Sequence, residues 1–133
     1  MPDTPAKPRI LVVDDEPDLI AVLRMGLQME GFDVLEAADG TEGLRRAREE
    51  KPDLLVLDLM LPKMDGYQVC RSLKFDSRYK NLPILILSAR PGDQDKRLAI
   101  EMGADDFIRK PYDLKDLVAR IRQRLKLGGK EAA

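Results

Sequence analysis

The chain has no histidine and a single cysteine, Cys70. A Ser-His-Asp triad is excluded, because no imidazole is present to act as its base. A zinc centre lacks its usual ligands. One cysteine cannot close an internal disulfide, which fits a cytoplasmic setting. Cys70 falls in an apolar-periodic stretch with Tyr67, Val69 and Leu73, and it reads as buried filler. Uninterrupted apolar runs are far too short to cross a bilayer, so membrane insertion is not expected. An excess of one charge is also missing. The 23 basic and 24 acidic residues leave a net charge of -1, so direct nucleic-acid binding by this chain is not expected. Residues 1–8 carry three prolines and no apolar signal-peptide core, and they read as a disordered lead-in.

The 133 residues, 44% of them apolar, are enough for one domain with one core. That domain is expected over residues 9–127, with a small, polar and flexible tail over 128–133. Strand-like and helix-like segments alternate. Strands are expected over residues 10–13, 32–37, 54–57, 84–87 and 107–109. Helices are expected over 17–30, 41–50, 66–74, 93–102 and 114–127. Pro17 suits a first helical turn, Gly31 and Gly103 suit the residues past helix ends, and Asp113 suits an N-cap. Leu19, Val22, Leu23 and Leu27 make one stripe at helical spacing in the first helix. This order predicts an α/β fold, a flavodoxin-like (βα)5 three-layer sandwich. Its five parallel strands would run in the order 2-1-3-4-5, with helices on both faces.

Three of the apolar runs end in charge. The first stops at Asp14-Asp15, the third at Asp58 and the fifth at Lys110-Pro111. In a parallel sheet these ends share the C-terminal edge, where open α/β sheets build their sites. Clustered carboxylates repel, by ~4 kcal/mol for two unit charges ~4 Å apart at an effective dielectric of ~20. Their hard oxygens suit Mg2+, or Mn2+ in its place. Lys110 adds an ammonium, and Ser88 adds a hydroxyl after the fourth strand. Such a set suits an incoming phosphoryl group. Asp58, alone on the central strand, is the favoured nucleophile, and Asp14 and Asp15 are the favoured metal ligands.

With these residues the chain resembles a receiver (phosphoacceptor) domain of bacterial two-component response regulators. The motifs are residues 10–16, ILVVDDE, and residues 53–62, DLLVLDLMLP. Met64-Asp65-Gly66, Leu87-Ser88-Ala89, residues 103–107 (GADDF) and Lys110-Pro111 complete the set. The resemblance runs from about residue 9 to 127. It implies that Asp58 is the phosphoacceptor, that Asp14 and Asp15 bind the metal with Asp15 as the direct ligand, and that the Met60 backbone carbonyl completes the metal shell. It also implies that Ser88 is the switch hydroxyl, that Phe107 is the switch aromatic, and that Lys110 pairs with the phosphoryl group ahead of a cis bond to Pro111. Met60 and Arg90 match positions that flank the attacking water and tune phosphate lifetime.

The function implied is a phosphorylation switch in a two-component phosphorelay. Ser88 would move toward the phosphoryl group, Phe107 would rotate inward, and the face of helix 4, strand 5 and helix 5 would change its partner. The implied partners are a sensor histidine kinase or phosphotransfer protein and a downstream effector. A phosphorylation-dependent homodimer is a further option, because Lys96, Asp116 and Arg120 match charged positions of a dimer face. Met102 and Leu127 depart from that pattern. The short tail suits either a stand-alone receiver or one cut from a larger regulator. Not being an enzyme on external substrates is the expectation. The rival is a Mg2+-dependent phosphohydrolase with an aspartyl nucleophile, but the residues two past Asp58 and Asp14 are Met60 and Glu16. No Gly-x-Gly-x-x-Gly follows the first strand, which weakens a nucleotide-binding reading further.

Overall fold

The computed structural model describes residues 7–61, 63–89 and 93–126. Pro62, Arg90, most of the N-terminal lead-in, Leu127 and the C-terminal tail lie outside them. Ten elements alternate: β1 (Arg9–Val13), α1 (Pro17–Met29), β2 (Asp33–Ala37), α2 (Gly40–Glu50), β3 (Leu54–Asp58), α3 (Gly66–Lys74), β4 (Ile84–Ser88), α4 (Asp93–Glu101), β5 (Asp106–Arg109) and α5 (Leu114–Leu125). The five strands pair in parallel in the order β2-β1-β3-β4-β5, as the alternation of elements predicts.

The side-chain period of two divides the strands between two half-cores. Ile10, Val12, Val56 and Leu85 face α1 and α5, where they meet Leu23, Leu27 and Leu117. Leu11, Val13, Leu57 and Ile86 face the other layer, where they meet Leu44, Val69 and Ala99 of α2, α3 and α4. β3 and β4 are buried along their whole length, so a charged or hydroxyl side chain at their ends is held at the rim of a dry interior. β2 is the polar edge strand, with Asp33 exposed and only Ala37 fully buried.

Local signals account for several helix ends. Pro17 opens α1, Gly31 (φ 94°) and Gly103 (φ 104°) adopt left-handed backbone after α1 and α4, and Asp113 caps α5 through the Lys115 amide. The predicted α1 stripe needs correction. Val22 is 63% exposed, and the inward residues are Ile20, Leu23 and Leu27. At about 100° per residue, Val22 stands a full step round the helix from Leu23 and farther still from Ile20. Phe32, expected in the second strand, precedes it and is buried against α1 and α5 residues. α5 stops at Leu125 rather than 127, because Lys126 turns into the left-handed region (φ 60°).

Candidate functional site

Parallel pairing of β1 with β3 sets Val13 beside Leu57, so the next residues, Asp14 and Asp58, emerge side by side. β4 then sets Leu87 beside Asp58, and β5 sets Arg109 beside Ser88. Lys110 follows directly, with its amide donating to the Ser88 carbonyl at 2.7 Å. The peptide bond between Lys110 and Pro111 is cis. Sheet register alone therefore gathers Asp14, Asp58, Ser88 and Lys110 at one edge.

Asp14 and Asp58 are 1% and 6% exposed, and Ser88 is fully buried. Lys110 Nζ lies 3.4 Å from Asp14 Oδ2 and 3.5 Å from Asp58 Oδ2. The second oxygen of each aspartate meets backbone. Asp14 Oδ1 accepts from the Glu16 amide at 3.0 Å, and Asp58 Oδ1 accepts from the Met60 amide at 3.1 Å. Asp15 is the exposed member of the group, and oxygens of Asp14, Asp15 and Asp58 all lie within 4.8 Å of one another. Burial pushes the Asp58 carboxyl above its ordinary range. The Met60 amide and the Lys110 ammonium oppose that shift, and the Asp14 charge adds to it.

Three carboxylates facing one ammonium leave a local excess of negative charge. The donors are hard oxygens, two of them buried and one open to solvent. That set fits a small divalent cation such as Mg2+ or Mn2+, which keeps part of its water shell. A cleft of about 470 Å³ opens from Asp14 and Asp15 toward Ala21, Arg24 and Glu36, between α1 and the end of β2. The acid cluster is therefore reachable from outside while its strand-end carboxylates stay shielded.

Met60 lies on the rim and is 52% exposed. Phe107 pairs with Ile86 across β4 and β5 and belongs to the core, at 6% exposure. Its ring is thus already inside, and the expected inward rotation has no outward starting point here. On the α4–β5–α5 side, Lys96 is exposed on α4. Arg120 is engaged within the chain, with Asp106 at 2.7 Å and Asp116 at 3.2 Å. Reading by motifs stops at Pro111 and passes over Tyr112. Its phenol is pushed up to about 12, by burial first and by the Asp14 charge second. Adjacency to Lys110-Pro111 was the available signal for it.

The family model described as "Response regulator receiver domain" matches residues 10–122. The chain is 49% identical over 125 residues to the DNA-binding response regulator MtrA of Mycobacterium tuberculosis, covering 94% of this chain and 54% of that protein. It is 44% identical over 119 residues to the DNA-binding dual master transcriptional regulator RpaA of Synechocystis, covering 90% and 49% respectively. The chain thus spans about half the length of these curated relatives. Among solved structures, a putative response regulator from Chloroflexus aurantiacus superposes with a TM-score of 0.86 at 34% identity, covering 91% of this chain and 99% of that one.

Proposed function

Since the chain belongs to the response regulator receiver domain family of two-component signalling, we propose that it works as a switch phosphorylated on Asp58. The observation that carries this reading is the Asp58 carboxylate itself. It ends the central strand, is nearly buried, and lies between the Met60 amide and the Lys110 ammonium.

The donor is a phosphohistidine of a sensor kinase or phosphotransfer protein. An Asp58 oxygen attacks phosphorus in line with the departing imidazole nitrogen. The O–P bond forms as the N–P bond breaks, and the imidazole takes its electron pair and a proton from solvent. Asp14, Asp15, Asp58 and the Met60 carbonyl would hold Mg2+, or Mn2+ in its place. When bound, that cation offsets the charge of the carboxylates and of the phosphoryl oxygens. Lys110 already sits against Asp14 and Asp58, so its ammonium can follow the charge onto the phosphoryl group without a large movement. Ser88, at the end of β4, supplies the hydroxyl that bonds a phosphoryl oxygen. Phe107 starts inside the core, so a shift of Ser88 would be passed to α4 and β5 by repacking around the ring. The chain catalyses only its own phosphorylation and dephosphorylation.

A downstream effector reads the altered face. The names of MtrA and RpaA support a DNA-binding output as the reader. The balanced charge of this chain gives it no basic footprint of its own for DNA. No helix among the described residues is long and apolar enough to cross a membrane.

Incubation with acetyl phosphate and Mg2+ tests the reading. One phosphate per chain by intact mass, absent in Asp58→Asn, is expected. Many turnovers on external phosphomonoesters would favour the phosphohydrolase instead, and no label under any condition would reject both. Profiling purified histidine kinases for transfer would then name the donor.

A further inference from the structure

Gly40 is the first residue of α2, directly after the Asp39 N-cap. Its backbone is not left-handed, so conformation alone does not call for glycine there. Space does. A Cβ on Gly40 would stand 1.7 Å from the Met64 carbonyl oxygen and 2.6 Å from its carbonyl carbon. Both are backbone atoms, so no rotamer change could relieve the clash. The start of α2 therefore touches the main chain of the segment that leads from Asp58 to α3.

Two further contacts hold the same segment. Lys63 Nζ lies 3.6 Å from Asp39 Oδ2, which ties the residue beside Met64 to the residue beside Gly40. At the far end, the Gly66 amide donates to the Leu59 carbonyl at 3.0 Å. A Cβ on Gly66 would stand 2.7 Å from the Asp58 carbonyl oxygen. The segment is thus fixed against its own strand at Gly66 and against α2 at Met64 and Lys63. In sequence, Met60, whose amide holds Asp58 Oδ1, lies between Leu59, which the Gly66 amide holds, and Lys63, which Asp39 holds.

We infer that Gly40 is a positioning residue of the phosphoacceptor site: its missing side chain lets α2 hold the Met64 backbone, and this fixes Met60 against Asp58. The inference rests on the phosphoacceptor reading above. It assigns Gly40 no contact with the phosphoryl group or the cation. Its effect is exerted indirectly, through its close approach to the Met64 backbone.

The test uses the full chain and three variants. Gly40→Ala pushes Met64 away. Lys63→Gly removes the Asp39 tie without a clash and keeps a residue suited to the left-handed backbone at that position (φ 69°). Gly31→Ala is the stability control. It strains a left-handed turn after α1 that has nothing within 4 Å of the added Cβ. Mn2+ affinity is read by electron paramagnetic resonance below the melting temperature of each variant. Labelling by acetyl phosphate is read as a rate at saturating Mn2+ and as a half-saturating Mn2+ concentration. Gly40→Ala is expected to weaken Mn2+ binding by roughly tenfold and to slow labelling by about tenfold or more. Lys63→Gly is expected to shift both the same way by less, and it decides the matter if Gly40→Ala does not fold. Gly31→Ala is expected to melt earlier with wild-type Mn2+ affinity and labelling. Wild-type Mn2+ affinity and labelling in folded Gly40→Ala and in Lys63→Gly would overturn the inference while leaving the phosphoacceptor reading intact. A wild-type chain that neither binds Mn2+ nor takes label would overturn both.

Discussion

Lys110 Nζ stands 3.5 Å from Asp58 Oδ2, although 52 positions separate the two residues. Parallel register across β3, β4 and β5 makes this contact, and the cation reaches it from the backbone turn that holds the Lys110 amide on Ser88. In this resting arrangement Lys110 also reaches Asp14. It therefore offsets part of the carboxylate charge and, on the function proposed above, stands where an added phosphoryl group would meet it.

Lys110→Met tests that dual role. Its aliphatic stem preserves much of the packing, while the ammonium is lost. With one fewer positive group at the transferring phosphoryl, labelling by acetyl phosphate is expected to slow by about a hundredfold at saturating Mg2+. Mg2+ itself is expected to bind no more weakly, since the cluster becomes more negative. Stopped-flow labelling and calorimetric Mg2+ titration separate the two effects.

Asp58→Asn is expected to raise the melting temperature in Mg2+-free buffer. Burial and the Asp14 charge hold the Asp58 carboxyl above its ordinary 3.8. The folded state therefore binds the proton more tightly than the unfolded state. Stability contributed by that proton is fully present below 3.8 and is lost as pH rises through the raised folded value. At neutral pH the ionised Asp58 is thus a net burden, and the amide removes it. A gain on the order of 1 kcal/mol corresponds to roughly 3–5 °C for a chain of this size. The gain over wild type should shrink as pH falls toward 3.8, because the wild-type carboxyl then takes up its proton. Calorimetry from neutral pH down to 4 reads both.

Asp14, Asp58 and Lys110 were legible in the sequence because each ends an apolar run whose packing has no use for a charge. Parallel pairing was legible because each strand is followed by a helix, and the shared C-terminal edge follows from it. Other features were hidden for physical reasons. Ile10 and Leu11 are equally apolar, so nothing in their identity says which faces α1 and which faces α2. Val22 fits a helical stripe by spacing, yet the inward arc of α1 is chosen by what packs on it, and Ile20 occupies that arc. The inward setting of Phe107 depends on its pairing with Ile86 and the packing around it. The approach of Gly40 to Met64 is between backbone atoms and leaves no side-chain pattern to read.

Asp65 caps α3, the helix that follows β3. Its Oδ1 accepts from the Gln68 amide at 3.0 Å, and Gln68 Oε1 accepts from the Asp65 amide at 3.1 Å. Asp65→Ala breaks this reciprocal box and is expected to cost about 1 kcal/mol of stability. Asp65→Ser should recover most of it, because a hydroxyl can accept the same bond. Urea unfolding of the two variants, compared with wild type, distinguishes loss of the cap from loss of charge.

Cys70 offers a reporter of global opening that does not touch the site. It is fully buried in α3, its Sγ lies 3.5 Å from the Met102 carbonyl, and burial pushes its thiol up to about 12. The reactive thiolate is therefore scarce and shielded in the folded chain. Disulfide-exchange reagents are expected to leave native protein unlabelled and to react at once in denaturant. A cation or phosphoryl mimic that binds only the folded chain lowers the unfolded population by the factor 1 + [L]/Kd. Slow native labelling should then fall by that factor when Mg2+ and beryllofluoride are added together, and Asp58→Asn should lose the beryllofluoride part of the protection. Labelling that proceeds at the denatured rate, or that ignores both additions in wild type, would mean that α3 opens locally without the rest of the fold.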